Sequence, residues 1–227
     1  MIFSNEFLFI HVPKTAGMSI TNGLLKSLDG KVYYAVQEGH ARSRYGETVI
    51  AGRRHQTLAA ADAYFQDMGL EHRVANFRFV MSMVRNPYEM EVSRFHYLRK
   101  GHAWDKGLAQ KLALAGDFAS FVEGSTWWFD FRDYYTVDGL LPENLYIVRY
   151  EDFEQTVQLN FAACFRKTFK TRRMNKSHST DYRDYYSRDL EDLVYKKYQW
   201  IFDKGYYSRA VFNKKAKIKS GLTDLTG

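Results

Sequence analysis

Phe7-Leu8-Phe9-Ile10 running into His11-Val12-Pro13-Lys14-Thr15-Ala16-Gly17-Met18-Ser19 is the stretch on which the reading of this chain turns. Four consecutive apolar residues read as a buried strand. From Thr15 to Leu28, apolar residues at Ile20, Leu24, Leu25 and Leu28 then follow helical spacing. The loop between them leaves a strand and opens a helix, so its unpaired N–H groups and the helix dipole form an anion site. Lys14 places a positive charge inside that site, and Thr15 and Ser19 add hydroxyl donors. Gly17 removes a side chain that would block the close approach of a phosphate or sulfate. The plainer reading of the same residues is a surface turn with an incidental lysine.

Outward from this loop, strands and helices alternate. Lys31 to Val36 reads as a second strand, Thr48 to Ala51 as a short apolar piece, and the Ala-rich Thr57 to Phe65 as a helix. Phe77 to Val84 is a strand long enough to be central. It runs into Arg85-Asn86-Pro87, where proline stops it and can occupy the first turn of the next helix. Helical spacing continues through Val92, Phe95 and Leu98, and again through Leu108, Leu112 and Phe118 to Val122. Leu145 to Val148 is another apolar run, and Glu151 to Phe169 and Ser187 to Phe202 read as the last two substantial helices. The pattern predicts an α/β fold with a central, mainly parallel sheet flanked by helices and a ligand site at the carboxyl ends of the strands. With no internal repeat and no linker, one domain over residues 1–212 is expected, followed by a basic, solvated tail over 213–227.

Composition narrows the class without choosing the ligand. The 227 residues are 45% hydrophobic and 17% aromatic, enough for one sizeable core. The balance of 33 basic against 26 acidic residues gives +7, which suits an anionic ligand, a nucleic acid or a membrane surface alike. No apolar run approaches the roughly 20 residues of a membrane span, and Phe7 to Ile10 is too short for a secretory signal, so a cytoplasmic protein is expected. A lone Cys164 suits a reducing compartment and reads as a buried apolar residue at helical spacing from Val157 and Phe161. The 7 histidines show no ligand spacing, and no metal site is expected.

The 11–19 loop is not a Walker A sequence, because its lysine precedes a single glycine. It closely resembles the 5′-phosphosulfate loop of the carbohydrate sulfotransferase family that includes the heparan sulfate 2-O-sulfotransferases. That resemblance implies a P-loop-like sulfotransferase fold and 3′-phosphoadenosine 5′-phosphosulfate as sulfonate donor, bound by Lys14, Thr15, Ala16, Gly17, Met18 and Ser19. Met18 stands where that family usually has Thr, which removes one hydroxyl contact. Val84-Arg85-Asn86-Pro87-Tyr88 with Ser93 and Tyr97 looks like the family's 3′-phosphate segment, and its roles carry over onto Arg85 and Ser93. A guanidinium forks onto phosphate oxygens, and a helix serine can add a donor. Asn175 to Ser177, followed by Tyr182 to Tyr186, resembles the C-terminal segment that closes over the nucleotide, which places Ser177 among the donor contacts. Lys100 to Gly139 matches no family position, and acceptor specificity is expected there.

Sulfonate transfer needs in-line geometry, a positive charge at the leaving oxygen, and a base for the acceptor hydroxyl. Lys14 supplies the charge. His55 is the first candidate base, because His55-Gln56-Thr57 resembles the family segment that bears the catalytic histidine. His40 is the runner-up, and His11 is expected to orient backbone. Trp127-Trp128-Phe129 with Phe131, Tyr134 and Tyr135 could wall an acceptor site or simply pack a core. Arg166, Lys167, Lys170, Arg172, Arg173 and Lys176 could meet an anion or face solvent. The expected partner is a small-molecule or glycan hydroxyl acceptor, with no nucleic acid and no membrane span. Two rival readings are a P-loop-like nucleotide kinase and a non-enzymatic basic polyanion-binding protein.

Overall fold

The computed structural model describes residues 1–40, 42–100, 107–127, 129–170 and 181–211. The chain falls into two compact units, Met1–Val84 with Phe129–Lys176, and Arg85–Trp128 with Ser177–Gly227. Its strands are β1 (Ile2–Phe3), β2 (Phe7–Ile10), β3 (Tyr33–Val36), β4 (Thr48–Ala51), β5 (Phe79–Val84) and β6 (Leu145–Arg149). Its helices are α1 (Gly17–Ser27), α2 (Ala61–Asp67), α3 (Pro87–Arg99), α4 (Leu108–Ala115), α5 (Phe118–Gly124), α6 (Phe153–Asn160), α7 (Arg188–Lys197) and α8 (Gln199–Asp203). Among the described residues no helix is long and apolar enough to cross a membrane.

The first unit is built on a six-stranded sheet in the order β4-β3-β1-β2-β5-β6. β2 pairs with β5, β5 with β6 and β3 with β4 in parallel, while β1 runs antiparallel to both of its neighbours. Because β1 reverses the direction twice, β3 and β4 point the same way as β2, β5 and β6. Five strands therefore deliver their carboxyl ends to one end of the sheet, where open α/β sheets bind ligands. The expected α/β architecture with a mainly parallel sheet is the one observed. β1 is an addition, since two residues are too few to carry a pattern.

Every residue of β2 is buried, as a central parallel strand covered on both faces requires. On one face, Ile20, Leu24 and Leu25 of α1 and Phe153 and Val157 of α6 join Ile2, Phe7, Phe9, Met81 and Met83 in one cluster. On the other face, α2 brings Phe65 edge-on to Phe3 at 5.2 Å, and Phe77 closes on Phe65 at 5.7 Å. Cys164 lies buried in the first cluster, as its spacing suggested.

Two helices of this unit are shorter than their sequence patterns. α2 begins at Ala61 because the Ala59 amide bonds the Asp133 carbonyl at 2.9 Å and is lost to a helix start at Thr57. The expected helix from Glu151 to Phe169 stops at Asn160. Beyond it, Leu28 pairs with Phe165 in an antiparallel bridge, and the Arg166 amide bonds the Ser27 carbonyl at 3.0 Å. Pairing with the end of α1, together with Phe161 packed edge-on against Phe79 at 5.2 Å, outweighs helix propensity there.

The second unit is helical. Asn86 caps α3 by accepting from the Tyr88 amide at 3.0 Å, and Pro87 takes the first helical position, as the sequence implied. Asp117 caps α5 and Ser187 caps α7 in the same way. Phe95 of α3 meets Phe118 and Phe121 of α5, each at 5.3 Å, and Tyr88 meets Phe202 of α8 at 5.3 Å. The expected helix from Ser187 to Phe202 is broken at Tyr198, whose φ of −123° ends α7 before α8 starts. There the Tyr198 hydroxyl donates to buried Glu91. Residues 213–227 of the expected tail lie outside the described residues.

Candidate functional site

The loop after β2 is shaped by handedness. Lys14 has φ +64° and Ala16 φ +58°, and Thr15 between them is not left-handed. Non-glycine residues rarely adopt this region, so two of them within three residues mark a turn held by its surroundings. The alternation directs successive N–H groups to one side, the geometry of an anion-binding nest. No side chain caps α1. The Ser19 and Ile20 amides bond back to Ala16, while those of Gly17 and Met18 have no partner within the helix. Thr15 is buried and donates its hydroxyl proton to the Val12 carbonyl at 2.8 Å, so its hydroxyl braces the loop and a ligand would meet its backbone. Ser19 is half-buried on the first turn of α1.

Gly17 has a further reason to be glycine. A Cβ at this position would lie 1.3 Å from His11 Nε2, because the buried His11 ring rests directly on the Gly17 backbone. His11 thus packs the inner side of the loop.

β4 ends at the same end of the sheet as β2 and leads into Arg53-Arg54-His55. His55 Nδ1 lies 3.0 Å from the His11 carbonyl oxygen, and the two rings are 4.4 Å apart. A carbonyl can only accept, so the proton sits on Nδ1 and Nε2 carries the lone pair. Behind His55, the Tyr134 hydroxyl donates to its carbonyl at 3.3 Å. Burial pushes the His55 pKa down to about 4 against the raising effect of the bond to His11, and the charges of the N-terminal amine, Arg54 and Lys14 press the same way as burial. Burial also holds His11 well below its usual value, with the charge of His55 next in effect. Two neutral imidazoles therefore stand within electrostatic reach of Arg54 and the N-terminal amine, and His55 within reach of Lys14 as well. His40 is exposed in the turn after β3, away from any such support.

This burial sets a pH dependence. Above pH 6.5 the His55 imidazole is neutral in both folded and unfolded chains. As pH falls from 6.5 to about 4, the unfolded chain gains a proton that the folded chain refuses. Stability is therefore expected to fall by about 3 kcal/mol across that window through this residue alone. Urea unfolding at pH 7 and pH 4.5 measures it. His55→Gln should flatten the loss relative to the parent chain, and an equally steep loss in the variant would show that His55 is not the group responsible.

The structure brings Lys14 and His55 within electrostatic reach of each other inside the first unit. Arg85 and Ser93 belong to the second unit. There the Arg85 guanidinium is 3.4 Å from Glu89, and Glu89 and Ser93 follow each other at i,i+4 on α3. Ser177 lies outside the described residues, as do Trp128, Arg172, Arg173 and Lys176. Tyr134 and Tyr135 are buried, and Tyr135 donates to the Met83 carbonyl at 2.9 Å, so this part of the aromatic stretch packs core. Trp127 donates to the Tyr198 hydroxyl at 2.5 Å. Sequence reading missed Arg54, whose Nε donates to the Tyr34 hydroxyl at 3.1 Å and whose Nη1 lies 3.3 Å from the Met18 sulfur. Nothing in the local sequence marked Arg54, because its partners stand 20 and 36 residues away.

No family model matches the chain, and no curated protein matches it by sequence. Among solved structures it is similar to the mouse sulfotransferase SULT7A1 complexed with PAP, at 14% identity and a TM-score of 0.48, covering 87% of this chain and 86% of that one. It is also similar to a sulfotransferase from Alicyclobacillus acidocaldarius, at 14% identity and a TM-score of 0.42, covering 86% of this chain and 93% of that one.

Proposed function

We propose that this chain is a sulfotransferase that moves a sulfonate group from 3′-phosphoadenosine 5′-phosphosulfate to a hydroxyl group, with a sugar hydroxyl as the acceptor suggested by the resemblance to the carbohydrate sulfotransferases. The observation that carries the reading is the pairing of Lys14, on a left-handed loop at a helix start, with a neutral His55 whose tautomer is set by the His11 carbonyl. The loop fits an anionic group, since the Gly17 and Met18 amides have no partner within α1 and Lys14 adds charge.

In the transfer, a bond forms between the acceptor oxygen and sulfur while the bond from sulfur to the donor's bridging oxygen breaks. His55 Nε2 takes the acceptor's proton, and Lys14 stabilises the negative charge that collects on the leaving phosphate oxygen. Arg85 and Ser93 take the donor's 3′-phosphate in this reading, with Arg85 exchanging Glu89 for the phosphate.

Thermal unfolding with 3′-phosphoadenosine 5′-phosphate, the desulfated donor, tests the assignment. At about a hundred times its Kd the nucleotide is expected to add about 2.7 kcal/mol of stability. A shift with ATP and none with the bisphosphate would overturn the donor and favour the kinase reading.

A further inference from the structure

We propose that Arg54 is a donor-binding residue that supplies, as a cation, the contact that Met18 cannot make as a hydroxyl. The inference rests on the sulfotransferase reading and adds a residue to its site.

The Arg54 side chain is held by uncharged partners, while its carbonyl accepts from the N-terminal amine at 3.0 Å. Its Nε donates to the Tyr34 hydroxyl at 3.1 Å, and its Nη1 reaches the Met18 sulfur at 3.3 Å. A thioether is a weak acceptor and carries no charge, so it orients the guanidinium without neutralising it. No carboxylate pairs with Arg54 among the described residues, and its Nη2 donors have no partner among them. Arg85 differs on this point, because Glu89 compensates it.

The position of the cation gives it a target. Met18 lies on the first turn of α1, where its own amide and that of Gly17 lack intrahelical partners, and Lys14 stands in the same loop. Arg54 and Lys14 both act electrostatically on His55, which sits beside His11 at 4.4 Å. An oriented, uncompensated guanidinium at a helix start that already carries a lysine has the chemistry to bind a phosphate or sulfonate oxygen. The planar fork makes this contact directional, so lysine should replace it only in part. Tyr34, buried in the first core cluster, fixes the base of the side chain and makes the placement rigid.

The contact belongs to the 5′ end of the donor, which separates it from a general loss of binding. Isothermal titration of the purified chain with 3′-phosphoadenosine 5′-phosphate and with adenosine 3′-phosphate reads this directly. Arg54→Ala is expected to raise Kd for the bisphosphate by about ten- to a hundredfold and to leave that for adenosine 3′-phosphate within about twofold. Arg54→Lys should recover part of the loss, and Met18→Leu, which removes the sulfur but not the charge, should cost less than Arg54→Ala. A parent chain that binds neither nucleotide overturns the sulfotransferase reading and this inference with it. A parent that prefers the bisphosphate, with Arg54→Ala unchanged or equally weakened toward both ligands, overturns the inference alone. Arg54→Lys, whose melting temperature should match the parent's, keeps the test open if the alanine variant fails to fold.

Discussion

Lys14→Ala is expected to lower the turnover of the proposed sulfonate transfer by about a hundred- to a thousandfold, the range for removing one preorganised donor from a developing negative charge. The effect should fall on kcat more than on donor affinity. The charge on the bridging oxygen is largest as the sulfur–oxygen bond breaks, whereas in the ground state other loop donors share the anion. The backbone makes the variant clean. Lys14 already holds φ +64°, and alanine bears a similar left-handed cost, as Ala16 does at φ +58° two residues on. The loop should keep its shape, with unfolding free energy within about 0.5 kcal/mol of the parent. Single-turnover assays at saturating donor, alongside urea unfolding, measure both quantities. Retention of full turnover would remove Lys14 from the chemistry, while a large loss of stability would mean that the side chain braces the loop.

How far the sequence speaks for this site depends on distance along the chain. The unit from Phe7 to Ser27 is readable because its parts are local: a continuous apolar strand, a turn with Gly17, and helical spacing through Leu25. The Asn86-Pro87 helix start is readable for the same reason. Readings fail where a distant partner decides. α6 ends early because Arg166 finds the Ser27 carbonyl, and α7 breaks because Tyr198 turns to Glu91. Thr15 has the residue type of a ligand donor, yet its proton goes to Val12. Gly17 is required partly by His11, six residues back, and no pattern of glycine spacing announces that contact. Arg54 shows the limit most clearly. It meets Met18 because β3 and β4 pair in parallel beside β1 and bring the chain after Ala51 to the end of the sheet where β2 opens its loop. The charge count of +7 contains Arg54, but only topology separates this cation from its solvated neighbours.

Glu91→Ala is expected to destabilise the chain by about 3–5 kcal/mol, the cost of stripping a buried charge of its partner. Glu91 and Arg94 are both almost wholly buried in the second unit, with their charged groups 3.7 Å apart. The Tyr198 hydroxyl donates to Glu91 Oε1, while Oε2 accepts no hydrogen bond, so the far side of the carboxylate depends on attraction to Arg94. Arg94 also donates to the Ser125 hydroxyl at 3.2 Å and the Thr126 carbonyl at 2.7 Å, and its guanidinium lies 4.3 Å from the Trp127 ring. Removing Glu91 leaves that guanidinium buried with dipoles and a ring face but no counter-charge, and the Tyr198 hydroxyl loses its acceptor. Removing both charges should cost much less, because desolvation of each ion is avoided. Glu91→Leu with Arg94→Met is expected to recover at least half of the single-variant loss. Ser93 lies between the two on α3, so the pair also sets how the proposed 3′-phosphate helix is seated. Urea unfolding of the two single variants and the double variant gives the coupling energy. A double variant as unstable as Glu91→Ala would mean that the cost lies in packing volume at position 91 or in Lys197, whose ammonium Glu91 also attracts, and not in the Glu91–Arg94 pair.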